Sequence, residues 1–249
     1  MSAESNKKIL VAGASGVVGR PLCRLLVEDG WQVIGATRSA DKARLLSLIG
    51  VEPVLVDVFD ADRLRQVVVE AQPAIVIHQL TDLPPGLDPA QMAEALPRNA
   101  RLREIGTRNL VAAALAAGVT RMVAQSIAFV YAPGPLPYTE DTPLDVTAPG
   151  DLGVTARGVA SLEEQVLHAP FAGIVLRYGK FYGPGTGFDQ PARGGPVHVD
   201  AAADAARRAL TRGQPGIYQI AEEDGALSCR KAAVELGWRA DFRLAGSTQ

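Results

Sequence analysis

The stretch "KKILVAGASGVVGRPLCRLLVEDGWQVIGATRS" (residues 7–39) contains the pattern that decides the fold. An apolar run at 8–13 leads directly into a glycine-rich turn, a segment of helical period follows at 17–29, and a second apolar run follows at 31–37. A strand, a tight turn, a helix and a second strand in this order form a β-α-β unit. The stretch therefore predicts two parallel strands joined by a helix that covers one face of a sheet.

The same alternation continues through the first part of the chain and predicts an α/β fold. The further predicted strands here are 51–57, 74–80 and 121–127, and the further predicted helices are 41–48, 60–71 and about 90–117. The strands are almost continuously apolar, as expected when helices cover both faces of a parallel sheet. We therefore predict a Rossmann doubly wound parallel sheet in a single domain over residues 1–249.

After Ile127 the regular alternation gives way to loops rich in glycine and proline. The predicted elements here are helices at about 155–168, 200–211 and 228–236 and strands at 172–179 and 216–221, with loops at 131–151 and 181–196. We predict that this half of the chain adds a small, truncated C-terminal substrate lobe to the sheet. The predicted lobe is built from about 131–152, 181–199 and 213–249.

Composition excludes several classes of partner. The chain is 47% apolar and 21% charged, its formal net charge is −2, and no basic run is present, so nucleic acid and an anionic membrane surface are not expected partners. The two cysteines, Cys23 and Cys229, have neither metal-like nor disulfide-like spacing, and no metal site is expected. No signal-like or membrane-spanning apolar run is found, so we expect a cytoplasmic protein.

The glycine-rich turn predicts a dinucleotide-binding site. It joins the first strand to the first helix, where backbone N–H groups and a helix N-terminus can meet a pyrophosphate. The predicted cofactor-binding residues of this turn are Gly13, Ser15, Gly16, Val17, Val18 and Gly19. Arg38 follows the second strand, where an acidic residue would contact the ribose in a protein that prefers NAD. A guanidinium there matches a 2′-phosphate, so we predict an NAD(P)-binding domain that uses NADP, with NAD as the alternative.

A series of motifs resembles the extended branch of the short-chain dehydrogenase/reductase superfamily, of the NAD-dependent epimerase/dehydratase type. The motifs, in the order usual for that branch, are "GASGVVG" (13–19), "VDVFD" (56–60), "VIHQLTD" (76–82), "GTRNLVAAALAAGVTRMV" (106–123), "LRYGKFYGPGT" (176–186) and "VHVDAAADAARRAL" (197–210). The resemblance implies that Asp57 and Val58 line the adenine and that Leu80 and Thr81 pass beside the cofactor. It also implies a cofactor-binding role for Gln125.

The catalytic residues of the resembled family are missing. Active members use a Ser or Thr, a Tyr that exchanges a proton with a substrate oxygen, and a Lys that lowers the pKa of that Tyr. Alignment on the family pattern puts Ile127 at the Ser position, Thr155 at the Tyr position and Val159 at the Lys position. A shift of one residue gives alanines instead of the Tyr and Lys. Arg103 stands where the family usually has an Asn.

Three residues are the candidates for replacing this chemistry. Lys180 can act as an acid or anchor an anionic substrate, and its structural alternative is a loop lysine in solvent. Tyr131 can supply a phenol or simply pack, and Ser126 can bind a ligand or be satisfied by backbone. Among the other polar residues, Glu163 and Glu164 are expected on a solvated helix face, and Asp200 is expected to cap a helix.

These observations predict an NADP(H)-binding, short-chain dehydrogenase-like oxidoreductase with a non-standard proton donor. Only the short segment 188–196 separates the "YGPGTG" loop from the next motif, so the expected substrate is a small carbonyl-type molecule. The alternatives are a non-redox lyase or isomerase on the same fold, and a catalytically silent NADP-sensing or scaffold protein. Relatives in the resembled family commonly dimerise through the helices at about 90–117 and 155–168, which leaves a homodimer open.

Overall fold

The structure is a computed structural model that describes residues 7–245, and a seven-stranded parallel sheet forms its centre. The strands are β1 (Lys8–Ala12), β2 (Gln32–Thr37), β3 (Glu52–Leu55), β4 (Ile75–His78), β5 (Arg121–Ile127), β6 (Ala172–Tyr178), β7 (Lys180–Tyr182), β8 (Pro196–His198) and β9 (Gly216–Ile220). The order across the large sheet is β3-β2-β1-β4-β5-β6-β9, with every pairing parallel. Strand order reverses between β1 and β4, which opens a crevice at the carboxyl ends of these strands. The predicted Rossmann-type sheet is confirmed.

Helices cover both faces of this sheet. They are α1 (Gly19–Glu28), α2 (Ala40–Ser47), α3 (Ala61–Ala71), α4 (Pro89–Arg101), α5 (Thr107–Ala116), α6 (Gly150–Leu167) and α7 (Val199–Arg208). Successive side chains of a strand point to opposite faces, so Ile9 and Val11 enter the core under α1 and α7, whereas Leu10 and Ala12 enter the core under α3 and α5. Within residues 7–245, no helix combines the length and the apolar composition that crossing a bilayer requires.

The long helix predicted over about 90–117 is interrupted. A π-helical segment, Leu102–Gly106, separates α4 from α5, and the Thr107 N–H reaches back five residues to the Leu102 carbonyl. Such widened turns often lie at functional sites because they change which side chains face inward. Here the segment carries Arg103, whose side chain is buried.

The C-terminal half differs from the sequence expectation at three places. The predicted loop over 181–196 is bounded by two short strands, since β7 and β8 overlap its two ends and pair in parallel. The predicted helix over 228–236 begins at Arg230, and its last five residues, Ala232–Leu236, form a π-helical segment that ends at Gly237 with a φ of 63°. The N-cap of α7 is His198, whose Nδ1 accepts a hydrogen bond from the Asp200 N–H, so Asp200 is not the cap. The extent of the substrate lobe stays a prediction.

Candidate dinucleotide and substrate site

A cavity of about 860 Å³ lies at the carboxyl ends of β1, β2, β4 and β5. This is the position where open parallel sheets bind ligands, at the point where strand order reverses. Most of the residues predicted to bind the cofactor line it, and the exceptions are Gly19 and Asp57. The Asp57 carboxylate instead accepts a hydrogen bond from the Phe59 N–H at 2.9 Å, which holds the turn after β3.

The glycine loop fits closely against the end of β4. Gly13 has a φ of +90°, and a Cβ there would lie 2.5 Å from the Gln79 carbonyl oxygen. A Cβ at Gly19 would overlap the Gly13 carbonyl oxygen, so Gly19 serves close packing between the loop and α1. In the part of the chain that the structure describes, no side chain caps the N-terminus of α1. The Arg20 N–H donates to the Gly16 carbonyl at 3.0 Å and Pro21 has no N–H, so the N–H of Gly19 is the one in this first turn that can meet a ligand. The loop therefore fits a pyrophosphate group in the cavity.

Two cations stand at the end of β2. Arg38 and Lys42 both line the cavity, and both are exposed. Arg38 Nη2 lies 3.9 Å from Asp82 Oδ1, a loose contact that leaves most of the guanidinium free for a ligand. Ser39 also lines the cavity and caps α2 by accepting a hydrogen bond from the Lys42 N–H. Sequence reasoning missed Ser39 and Lys42, although the spacing "RSADK" (38–42) at a helix start is the signal that could have identified them.

The three predicted catalytic residues lie in different surroundings. Lys180 lines the cavity, and its Nζ donates a hydrogen bond to the Arg193 carbonyl at 2.8 Å. Ser126 and Tyr131 are not among the lining residues. The buried Ser126 hydroxyl donates to Glu163 Oε1 at 2.7 Å, and burial raises the pKa of Tyr131 to about 12.

Glu163 is buried, so the prediction that it lies on a solvated face is wrong. It forms a two-point ion pair with Arg177, with Nε donating to Oε1 at 2.8 Å and Nη2 to Oε2 at 2.7 Å. Helix α6 packs against β5 and β6, and position 163 faces that sheet whereas position 164 faces solvent. The pair joins α6 to β5 and β6 near one end of the cavity. We call this the inner end, and Ile127 and Thr155 line it.

The end of β4 carries two buried polar side chains. His78 Nδ1 accepts from the Leu80 N–H at 3.2 Å, so the proton is on Nε2, which donates to Thr107 Oγ1 at 3.0 Å. Burial, with repulsion from Arg103, lowers the pKa of His78 to about 4, so the ring is neutral at pH 7. Gln79 lines the cavity, and its Oε1 has no hydrogen-bond partner within residues 7–245. This oxygen is a buried acceptor that does not reach the open space of the cavity.

The inner end of the cavity includes the positions at which the family has its catalytic Ser and Tyr. Ile127 and Thr155 line it, as do Gln125 and Phe129. Val159 is completely buried in a small apolar cluster with Ile127. Arg103 lines the same cavity, which sequence reasoning had noted only as a departure from the family pattern.

Comparison with known proteins agrees with this arrangement. The NAD dependent epimerase/dehydratase family matches residues 9–199. A Streptomyces sp. protein named 3-diazoavenalumate denitrifying reductase is 42% identical over 231 residues, which are 92% of this chain and 72% of the relative. The methionine adenosyltransferase 2 subunit beta of Xenopus tropicalis is 25% identical over 178 residues, 71% of this chain and 48% of that protein.

Solved structures share the fold at low sequence identity. The UDP-glucose 4-epimerase of Thermus thermophilus, in complex with NAD, superposes with a TM-score of 0.76 at 20% identity, covering 95% of each chain. The Thermotoga maritima UDP-glucose 4-epimerase, with UDP-glucose, superposes with a TM-score of 0.75 at 17% identity, covering 95% of this chain and 94% of that one. On the evidence of the matched family and of the 42% identical relative, this chain belongs to the NAD-dependent epimerase/dehydratase family.

Proposed function

We propose that this chain is an NADP(H)-dependent reductase that delivers a hydride to a small, largely apolar substrate bearing a diazo group. The observation that carries the proposal is a cavity that keeps the dinucleotide cradle while Thr155 and Val159 stand at the positions of the proton-transfer Tyr and Lys. The name of the 42% identical relative describes a reductase that removes nitrogen from a diazo compound. The proposal transfers that reaction class to this chain.

The missing acid is consistent with this chemistry. Reduction of a carbonyl adds a hydride to carbon and needs a proton on oxygen, which the family's Tyr normally supplies. In a diazonium form, the carbon–nitrogen bond breaks, N₂ leaves with that electron pair, and a hydride completes the carbon–hydrogen bond. The balance is R–N₂⁺ plus H⁻ giving R–H plus N₂, so no proton is required from the protein. The loss of the Tyr and Lys therefore removes nothing that such a reaction uses.

Binding of the cofactor rests on the residues already described. The glycine loop and the uncapped N-terminus of α1 would hold the pyrophosphate, and Val58 and Leu80 would flank the nucleoside. Arg38 and Lys42 give the end of β2 two positive charges, which favours a 2′-phosphate and hence NADP over NAD. When bound, the reduced nicotinamide supplies the hydride.

The rest of the cavity suits an apolar substrate without a large sugar. Its apolar walls include Phe129, Phe181, Phe188, Met92 and Leu96, and the segment 188–196 is too short to form an extended substrate lobe. Apolar walls with few polar groups are typical of sites for small, flat molecules. A benzenediazonium derivative or a quinone diazide of similar size is a suitable test compound.

The experiment follows both products of the reaction. Purified protein is mixed with NADPH carrying deuterium at the transferable position and with the diazo compound, and N₂ release, nicotinamide oxidation and deuterium in the product are measured. The expected result is one N₂ and one deuterated product for each NADPH oxidised, above the rate of a protein-free mixture. Turnover of aldehydes with no turnover of any diazo compound contradicts the proposal.

A carbonyl reductase is the second candidate, and the position of Lys180 favours it. The ammonium group of Lys180 lies at the cavity wall, where it could protonate a substrate oxygen. In that case Lys180→Met should slow aldehyde reduction by ~10²–10⁴-fold, the usual contribution of one general acid. NADPH binding with no turnover of either class would support the NADP-sensing or lyase alternatives instead.

A further inference from the structure

Arg103 is a buried cation at the inner end of the cavity. Its side chain is only 6% exposed, and the part of it that is accessible faces the cavity. Within residues 7–245, its guanidinium makes no hydrogen bond and no ion pair, although such a group has five N–H donors. Burial lowers the pKa of Arg103 to about 10, with Glu163 opposing part of the change, so the group is charged at pH 7.

Glu163, the acid whose charge acts on Arg103, does not neutralise this charge. Both oxygens of Glu163 are engaged by Arg177, and Oε1 also accepts from the Ser126 hydroxyl. One negative charge therefore faces two buried guanidinium groups, and the inner end of the cavity carries a net positive charge. Among the described residues, the one acidic side chain that lines the cavity is Asp82, which lies within 4 Å of Arg38 and Arg98 instead.

A buried charge without a partner is unfavourable, and an anionic ligand would remove that penalty. The planar guanidinium fits a carboxylate through two parallel hydrogen bonds. The neutral hydroxyls of a ribose would not compensate the charge, and the phosphates of a dinucleotide have the glycine loop, Arg38 and Lys42 at another part of the cavity. Phe129 and Met92 line the same cavity, which makes an apolar carrier the suitable partner.

We propose that Arg103 anchors the carboxylate of an apolar carboxylic acid substrate and so sets the orientation of that substrate in the cavity. This inference rests on the proposed reductase function and adds the chemical class of the substrate. A carboxylate at one end of the substrate also explains how a cationic diazo group can bind in the same cavity as Arg103. The anchored carboxylate lies between the two positive groups. The reacting end is then the end farther from Arg103.

The test measures binding without turnover. Benzoate and its neutral analogue benzamide are titrated by calorimetry into the protein saturated with NADP⁺, and also into the cofactor-free protein. The variants are Arg103→Met, which keeps the length and removes the charge, and Arg103→Lys, which keeps the charge and removes the two-point geometry. The matched control is Arg108→Met, an exposed arginine on the neighbouring α5.

The expected result is that wild type and Arg108→Met bind benzoate more tightly than benzamide. Arg103→Met should lose at least about 30-fold in benzoate affinity, with the affinity for benzamide and NADP⁺ unchanged, and Arg103→Lys should lose less. Thermal unfolding of Arg103→Met should not begin at a lower temperature than wild type, because the variant removes an uncompensated buried charge.

Three results would overturn the proposal. They are equal binding of benzoate and benzamide by wild type, equal loss in Arg108→Met, and a loss of NADP⁺ affinity in place of benzoate affinity. The last would assign Arg103 to the cofactor. Absence of any nicotinamide binding would contradict the reductase function alone, because the cofactor-free titration still measures the carboxylate site directly. Arg103→Lys decides the case if Arg103→Met does not fold.

Discussion

Two arginines in the cavity illustrate how residue identity and residue position contribute separately to a site. Arg38 is exposed at the end of β2, so its place in the chain was enough to suggest contact with an adenosine phosphate. Arg103 is drawn inward by the π-helical segment between α4 and α5, a feature that the sequence did not reveal. We therefore propose different roles for the two arginines, Arg38 as a surface ligand of a phosphate and Arg103 as the buried partner of an anion.

Replacement of Arg38 by Asp should reverse the cofactor preference. The variant removes a cation that can pair with a 2′-phosphate and introduces an acid that can accept a hydrogen bond from a free 2′-hydroxyl. We expect the ratio of NADPH to NADH affinity to fall by about 10- to 100-fold. Fluorescence titration of both nucleotides measures the ratio. The control is Arg44→Asp, an exposed arginine of α2 that does not line the cavity, and an unchanged ratio in Arg38→Asp removes the case for NADP.

At the scale of elements, α6 is held to the sheet by the buried pair of Glu163 and Arg177. Thr155, Val159 and Glu163 are four residues apart and share the face of α6 that meets the sheet. This face supports the inner end of the cavity with an ion pair rather than with the Tyr and Lys of the family. The Ser126 hydroxyl, predicted as a catalytic group, is part of the same buried network.

Breaking this pair from either side should be strongly destabilising. Glu163→Leu leaves two buried guanidinium groups without an acid, and Arg177→Met leaves a buried carboxylate without its partner. Each single variant should lose about 3–5 kcal/mol of unfolding free energy, and the double variant should lose clearly less than the sum. Urea unfolding at pH 7 of the four proteins gives this coupling. Additive losses would mean that the two side chains act independently.

At the scale of the whole molecule, the site links the stability of the fold to pH. His78 lies at the end of a central strand, completely buried, and joins β4 to α5 through Thr107. Its pKa is lowered from 6.5 to about 4, whereas the unfolded chain regains the ordinary value. Between these two values the unfolded state binds more protons than the folded state, so stability falls as pH falls through this window.

Protonation of His78 should therefore lower the free energy of unfolding by about 3 kcal/mol as pH falls from 6.5 towards 4. Above pH 6.5 the ring is neutral in both states, and the full stability is present. Urea unfolding across this range is the measurement. In His78→Asn, which keeps an acceptor for the Leu80 N–H, the drop should be smaller by that amount. The exposed His168 supplies the control variant His168→Asn. An equal pH dependence in His78→Asn and wild type would contradict the assignment.

Local patterns in the sequence were sufficient for the framework of this protein. The apolar runs, the helical segments such as 60–71, and the strand–turn–helix pattern around the glycine loop depend on interactions between residues close in the chain. They predicted a Rossmann sheet, and most of the residues predicted to bind the cofactor line the cavity. The absence of the family's Tyr and Lys was likewise evident from the sequence, because it depends on residue identity alone.

The tertiary structure decided which polar groups face ligands and which are committed to the core. Ser126 and Glu163 are 37 residues apart in the chain, and Glu163 and Arg177 are 14 apart, so their pairing arises only when α6 packs against β5 and β6. That packing pairs Ser126 and Glu163 with each other in the core and leaves Arg103 at the cavity wall without an ion-pair partner among residues 7–245. Sequence determined the strand–turn–helix pattern because its contacts are local, and tertiary packing determined the chemistry of the inner site because burial and pairing there depend on distant residues.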